Sequence, residues 1–192
     1  MRLTKSRLKE NKELTCSLLQ QTNLPGIAGL VKWLCEEDYF TAPASTRSEY
    51  HGCHEGGLAD HSLNVYSIFD SKNKSLNLGL TSDEIIISSL CHDICKVGIY
   101  VPNVLKSHKT SDAKPYRIED DFPFGHGERS VLYASRHVQL TKNEMLLIRW
   151  HMGPYEPGWE ESEERVGRVC PAIYAFHNSD MEASKYLDLK EK

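Results

Sequence analysis

The chain is expected to fold as an all-α domain of about seven helices with a small β-hairpin insertion. Three observations say so. Apolar residues recur at spacings of three and four over most of the sequence. Two words, Thr81-Ser-Asp-Glu84 and Thr141-Lys-Asn-Glu144, have the Thr-x-x-Glu form of capping boxes that open helices. One stretch, 98–124, breaks the helical pattern and holds two short alternating runs, Ile99-Tyr100-Val101 and Tyr116-Arg117-Ile118, joined by a polar tip at Ser107–Lys114.

The elements follow in order. A first helix is expected over about 3–20, and a second after Pro25-Gly26, through Ile27, Leu30, Val31 and Leu34. Pro43, Gly52, Gly56 and Gly57 make 41–57 irregular. A long helix starts near Leu58 and runs to about Ser71, with a polar stretch, Ser71 to Asn77, at or beyond its end. The first capping box opens the apolar run that carries His92-Asp93. After the hairpin a helix is expected from about His126 to His137. The second capping box opens another, which stops near Met152 before Gly153-Pro154. The segment 153–169 is Gly-, Pro- and Glu-rich and reads as a surface loop. A last helix begins after Pro171 with Ile173, Tyr174, Phe176 and Met181.

Length and composition bound the function. At 192 residues the chain suits one domain with a substantial core. With 23 basic and 27 acidic residues the formal charge is −4, which argues against a nonspecific grip on long nucleic acid. Met1–Glu10 lacks the apolar core of a secretory peptide, and no stretch approaches the roughly 18 apolar residues a transmembrane helix needs. These points suggest a soluble, cytoplasmic protein with no membrane partner. The six cysteines, at 16, 35, 53, 91, 95 and 170, form no Cys-x-x-Cys pair and read as reduced thiols. Cys91 and Cys95 share a helical face and cannot be told from small core residues.

The chemistry lies in polar residues on apolar faces. His61 shares a stripe with Leu58, Val65 and Ile68. His151 follows Leu147 and Ile148 by four and three residues. Asp180 shares a face with Ile173, His177 and Ser184. His126 opens its helix between Gly125 and Gly127, which allow close backbone approach. His92-Asp93 ends an apolar helix. Burying an imidazole beside a carboxylate is unfavourable without compensation. Each residue alone is compatible with a hydrogen-bonded core position. Together, His61, His92, Asp93, His126, His151 and Asp180 would make a poor core unless they converge, and converged they form an N/O set suited to first-row divalent metals.

The ordered set His61, His92-Asp93, His126, His151, Asp180 resembles the HD-domain superfamily in its six-ligand, two-metal form. The flanking words Gly56-Gly57-Leu58-Ala59-Asp60-His61, Cys91-His-Asp-Ile-Cys-Lys96, Phe122-Pro-Phe-Gly-His126-Gly-Glu and Ile148-Arg-Trp-His151 extend it over about 45–185. They look like a bacterial and phage group of HD phosphohydrolases related to the HD domain of YhaM-type exoribonucleases. The resemblance implies a single HD domain over 1–192 and two divalent ions drawn from Mn, Mg, Fe, Co, Ni or Zn. One ion would sit on His61, His92, Asp93 and Asp180. Asp93 would bridge to the second, completed by His126 and His151, with a hydroxide between the metals as nucleophile. Asp93 and Lys96 would be catalytic, Lys96 as a phosphate contact. His51, Arg129 and Arg149 are further candidate substrate contacts. His54 reads as incidental and His177 as a support behind the ligands.

These features point to a phosphohydrolase, a nucleotide phosphatase or phosphodiesterase, acting on a small nucleotide or phosphate ester. Two other readings stay open: a mixed-valent diiron HD oxygenase, which uses the same ligand set, and a non-catalytic nucleotide-binding sensor.

Overall fold

A computed structural model describes residues 3–188, so the expected single domain over 1–192 extends a few residues past them. Among the described residues the fold is all-α with one two-stranded hairpin. The helices are α1 (Lys5–Gln21), α2 (Ile27–Glu36), α3 (Gly57–Leu76), α4 (Ser82–Cys91), α5 (His126–Ser135), α6 (Lys142–Trp150), α7 (Trp159–Val169) and α8 (Ala172–Glu182). The hairpin pairs β1 (Tyr100–Pro102) with β2 (Tyr116–Ile118), antiparallel, with Tyr100 opposite Ile118 and Pro102 opposite Tyr116.

Both capping boxes form. The Thr81 and Thr141 hydroxyls accept from the amides of Glu84 and Glu144, and each Glu carboxylate accepts from the amide of its own Thr. The two starts are also tied to each other, since Glu84 Oε1 accepts from Asn143 Nδ2 at 2.8 Å and from Thr141 Oγ1 at 3.3 Å. Helices α4 and α6 therefore begin side by side and deliver their C-terminal histidines, His92 and His151, to the same place.

Two boundaries differ from expectation. Helix α3 continues through the polar stretch to Leu76 and ends on Asn77 in the left-handed region. The Asn73 amide clamps the backbone N–H and C=O of Leu80, which ties the helix end to the following turn. The larger correction concerns 153–169. Only its first part is irregular, a 3₁₀ turn at Gly153–Tyr155, and Trp159–Val169 is a full helix. Gly and Pro cluster in 153–158, while the Glu-rich remainder is the solvent face of an amphipathic helix whose Trp159 and Val166 are buried. Glu160 and Glu161 lie at its N-terminus, where the helix dipole favours them, and Arg168 pairs with Glu164 one turn away.

The core has two parts. Residues of α1, α2, α3, α4 and α5 form one cluster around Leu30, Leu34, Tyr39 and Leu90. Residues of α3, α4, α6, α7 and α8 form the other around Phe69, Leu147, Ile173 and Phe176. Helices α3 and α4 contribute to both. Glycines set two close approaches that bear on the site. A Cβ on Gly57 would lie 2.0 Å from the Gly52 carbonyl oxygen, where the irregular segment folds back on the start of α3. A Cβ on Gly127 would lie 2.1 Å from the Arg149 carbonyl oxygen, where α5 touches α6.

Gly127→Ala is therefore expected to push α5 off α6 at a cost of about 1–3 kcal/mol. It should displace His126 relative to His151. A lowered melting temperature together with weakened metal binding is the expected result. Wild-type values for both would show that the approach is slack.

Candidate metal centre

The six residues singled out in the sequence come together, and three of them, Asp93, His126 and Asp180, line a cavity of about 320 Å³. His61 projects from the first turns of α3. His92 ends α4, and Asp93 follows it in a non-helical conformation that opens a 3₁₀ turn, Ile94–Lys96. His126 is the first residue of α5, His151 caps α6, and Asp180 lies on α8. All except His126 are buried.

Asp93 divides its carboxylate. Oδ2 lies 3.5 Å from His92 Nε2 and 3.9 Å from His61 Nε2. Oδ1 lies 2.7 Å from His126 Nε2 and 3.5 Å from His151 Nε2. Asp180 Oδ1 approaches His61 Nε2 at 3.1 Å, and the Nε2 atoms of His61 and His92 are 3.3 Å apart. Four groups arise among the described residues whose ligand atoms lie within 4.8 Å of one another: His51, His61 and Asp188; His61, His92 and Asp180; His92, Asp93 and His151; and Asp93, Cys95 and His126.

The proton positions follow from the partners. His92 Nδ1 donates to the Ser89 carbonyl at 2.8 Å, and His151 Nδ1 to the Ile148 carbonyl at 2.7 Å. A carbonyl only accepts, so in a neutral ring the lone pair is on Nε2, which faces the Asp93 carboxylate in both residues. His151 Nε2 is buried and has no hydrogen-bond partner. Burial, with the charges of His92 and His126, lowers its pKa to about 4 despite the nearby Asp93. At neutral pH, then, a nitrogen lone pair confronts a carboxylate oxygen. Two acceptors in that position call for a cation, and the donor set fits a divalent first-row ion.

The charges are matched to that purpose. Burial raises the cost of an Asp93 carboxylate, but Lys96 and His92 outweigh it and hold the group well below the ordinary range. Lys96 is itself buried, donates to Asp93 Oδ2 at 2.6 Å and to the Ala44 carbonyl at 2.7 Å, and has its pKa raised because Asp93 overcomes its burial. Burial disfavours the His61 imidazolium, yet Asp188 and Asp180 push it up to about 10. His126 also reaches about 10, where Cys95 and Asp93 prevail over burial.

The structure adds a residue that the sequence pattern did not reveal. Asp188 Oδ2 accepts from His61 Nδ1 at 2.7 Å, and its Oδ1 accepts from Asn64 Nδ2 at 2.8 Å. This carboxylate holds the His61 Nδ1–H and aims Nε2 at Asp180 and His92, as carboxylates behind metal-ligating histidines do. Asp188 follows a π turn, Ala183–Leu187, that breaks the 3.6-residue register after α8. No helical spacing therefore linked it to His61. Asp188→Asn is expected to weaken metal binding roughly 10- to 100-fold with little change in fold; unchanged affinity in a metal titration would show that it serves packing only.

The other candidates separate cleanly. His51 lines the cavity, its ring 4.8 Å from that of His61, and burial with the His61 and Lys96 charges lowers it to about 3, so it is a neutral group there. His177 donates Nδ1–H to the His151 carbonyl and also lines the cavity. Tyr100 of β1 and Tyr155 of the 3₁₀ turn border the same space, so the hairpin and the 153–158 segment both reach it. Arg129 and Arg149 do not line the cavity. Both Asp120 oxygens accept from the buried Arg129 guanidinium, and Arg149 pairs with Glu128 and Glu156 and stacks on Trp150. Their guanidinium groups are committed to carboxylates, which removes the basis for reading them as phosphate contacts. His54 is buried with Nδ1 on the Glu55 carbonyl, outside the ligand groups.

Comparison with protein-family models, curated proteins and solved structures finds no match. The site must therefore be interpreted from its own geometry. No helix among the described residues is long and apolar enough to cross a membrane.

Proposed function

We propose that the protein is a metal-dependent phosphohydrolase of the HD type that acts on a small nucleotide or phosphate ester. The observation that carries the reading is the divided Asp93 carboxylate. One oxygen faces His61 and His92 and the other faces His126 and His151, beside a buried lysine, on the wall of a cavity. A carboxylate so placed suits two cations, with Asp180 completing the His61 and His92 half. Bound divalent ions would supply Lewis acidity toward phosphate oxygens and lower the pKa of a bound water.

The chain's own groups do the rest. Lys96 presents an ammonium at the cavity wall, where it would neutralise a phosphate oxygen. Neutral His51 offers a ring nitrogen to a substrate hydroxyl or leaving group. Tyr50, Tyr100 and Tyr155 give flat surfaces against which a base or sugar could pack. The volume is at the small end of ligand cavities, which favours a small substrate over a polymer.

The test is a panel of nucleotides and phosphodiesters assayed with Mn²⁺, Mg²⁺, Co²⁺, Ni²⁺, Zn²⁺ and Fe²⁺. Metal-dependent release of phosphate or nucleotide is expected, and lost in His126→Ala. Two bound irons, oxygen uptake and no hydrolysis would favour an oxygenase instead. Nucleotide binding with no turnover under any metal would favour a sensor.

Metal binding should release protons. His61 and His126 hold a proton at neutral pH in the metal-free protein because both are raised to about 10. An ion must displace those protons, so apparent affinity is expected to rise with pH from 6 to 9, where a pH-independent affinity would contradict the assigned ligands. Calorimetry in buffers of different ionisation enthalpy reads the proton count directly.

A further inference from the structure

Cys95 is not among the ligands the proposed function uses, yet it belongs to one of the two ligand groups that include Asp93. It sits on the 3₁₀ turn between Asp93 and Lys96, buried, and its amide donates to Ser130 Oγ of α5 at 3.2 Å. That hydrogen bond holds the turn against the helix that carries His126. The Cys95 sulfur is 3.2 Å from His126 Nδ1 and 3.7 Å from Nε2. A tetrahedral ion with metal–nitrogen and metal–sulfur bonds of about 2.0 and 2.3 Å separates its nitrogen and sulfur ligands by roughly 3.6 Å. The two distances place the sulfur beside the ring, nearer Nδ1, so the His126 ring must rotate to aim Nε2 at an ion that the sulfur also holds. Asp93 Oδ1 faces the same ring, 2.7 Å from His126 Nε2 as a hydrogen bond, and that rotation would open the contact to ligand spacing. A second, independent feature marks this side of Asp93 as a cation position: His151 Nε2, buried and without a partner, points at the same Oδ1 from 3.5 Å.

We propose that Cys95 is a metal-ligating thiolate in the outer half of the centre. With Asp93, His126 and His151 it presents one sulfur, one oxygen and two nitrogens, so a water or substrate atom would enter as a fifth ligand from the cavity. This rests on the metal-centre reading and sharpens it. The inner half, on His61, His92 and Asp180, has only nitrogen and oxygen donors and is the harder site. The outer half prefers a thiophilic ion such as Zn²⁺ or Co²⁺ over Mg²⁺. On binding, the Cys95 S–H bond breaks, a metal–sulfur bond forms, and the proton leaves to solvent.

The test titrates full-length protein with Co²⁺ in excess Mg²⁺ and follows the near-ultraviolet thiolate-to-cobalt charge-transfer band. The wild type and Cys35→Ser, a cysteine of α2 remote from the site, are expected to show the band, and Cys95→Ser to lose it. Zn²⁺ affinity of the outer position should fall in Cys95→Ser by more than the roughly 10–100-fold that loss of an outer partner costs. If Cys95→Ser does not fold, Cys95→Ala replaces it. Cadmium-113 NMR of the wild type reads sulfur ligation without any variant. Co²⁺ bound with visible d–d bands but no thiolate band, a band that survives in the Cys95 variants, or a cadmium shift typical of nitrogen and oxygen alone would each overturn the thiolate and leave the metal centre standing. No Co²⁺ bound at all would overturn both.

Discussion

Asp93→Asn is expected to strip metal from both halves of the centre and to lower turnover by at least about 10³-fold. The size of the effect comes from the position of one side chain. Among the described residues Asp93 is the only group whose two oxygens face different histidine pairs, His61 and His92 on one side, His126 and His151 on the other. Asparagine keeps the shape but replaces one oxygen with an amide nitrogen and removes the charge. One half then meets an N–H donor where it needs a lone pair, and neither half retains the negative charge. The variant also leaves the Lys96 ammonium buried with only the Ala44 carbonyl, so the metal-free protein should lose on the order of 3–5 kcal/mol. Metal content by elemental analysis, turnover, and denaturant unfolding with helical content checked by circular dichroism separate these effects. An Asp93→Asn protein that binds two ions with wild-type affinity would end the shared-carboxylate interpretation, whatever its activity.

What could be read from the sequence, and what could not, follows from the physics of burial. A histidine or aspartate on an apolar helix stripe is conspicuous because burial makes it expensive, so His61, His151 and Asp180 could be placed inward from spacing alone. Their convergence at His92-Asp93 is what the fold supplied. The capping boxes were legible because they are local, each closed within four residues. The failures have local causes too. Helix α7 was hidden because its solvent face is a run of glutamates after a Gly- and Pro-rich turn, and only Trp159 and Val166 mark the buried side. A π turn put Asp188 out of helical register with the α8 face that carries Asp180. Arg129 and Arg149 look alike as helix cations whether they are free or paired. Only the fold shows Asp120 and Glu156 reaching them from adjoining loops. Cys95 was indistinguishable from a small core residue, since a buried thiol costs almost nothing and leaves no trace in the pattern.

Lys96→Met is expected to have the second-largest effect, and it separates the observed Asp93 contact of one ammonium from its proposed role on substrate. In the metal-free protein Lys96 neutralises Asp93 through Oδ2 at 2.6 Å, and Oδ2 is the oxygen that faces His61 and His92. Lysine and a divalent ion therefore compete for the same atom. Methionine has nearly the same length and no charge, so the metal-free variant should be destabilised by about 3 kcal/mol or more, from the carboxylate left without its nearest cation. Divalent metal at 100 times its dissociation constant should return about 2.7 kcal/mol of that. Metal affinity itself should not fall, because a competitor has been removed. If the proposed phosphohydrolase reading holds, turnover at saturating metal should still be lower by about 10²–10³-fold, because the ammonium released from Oδ2 at the cavity wall would neutralise a phosphate oxygen. The comparison turns on that last measurement. If saturating metal restores full turnover, Lys96 serves only to hold Asp93 ionised until an ion arrives, and substrate charge must be met elsewhere. If turnover stays low while stability and metal content recover, the lysine acts on substrate, and the competition for Oδ2 explains why the cation stays buried until a metal takes that oxygen.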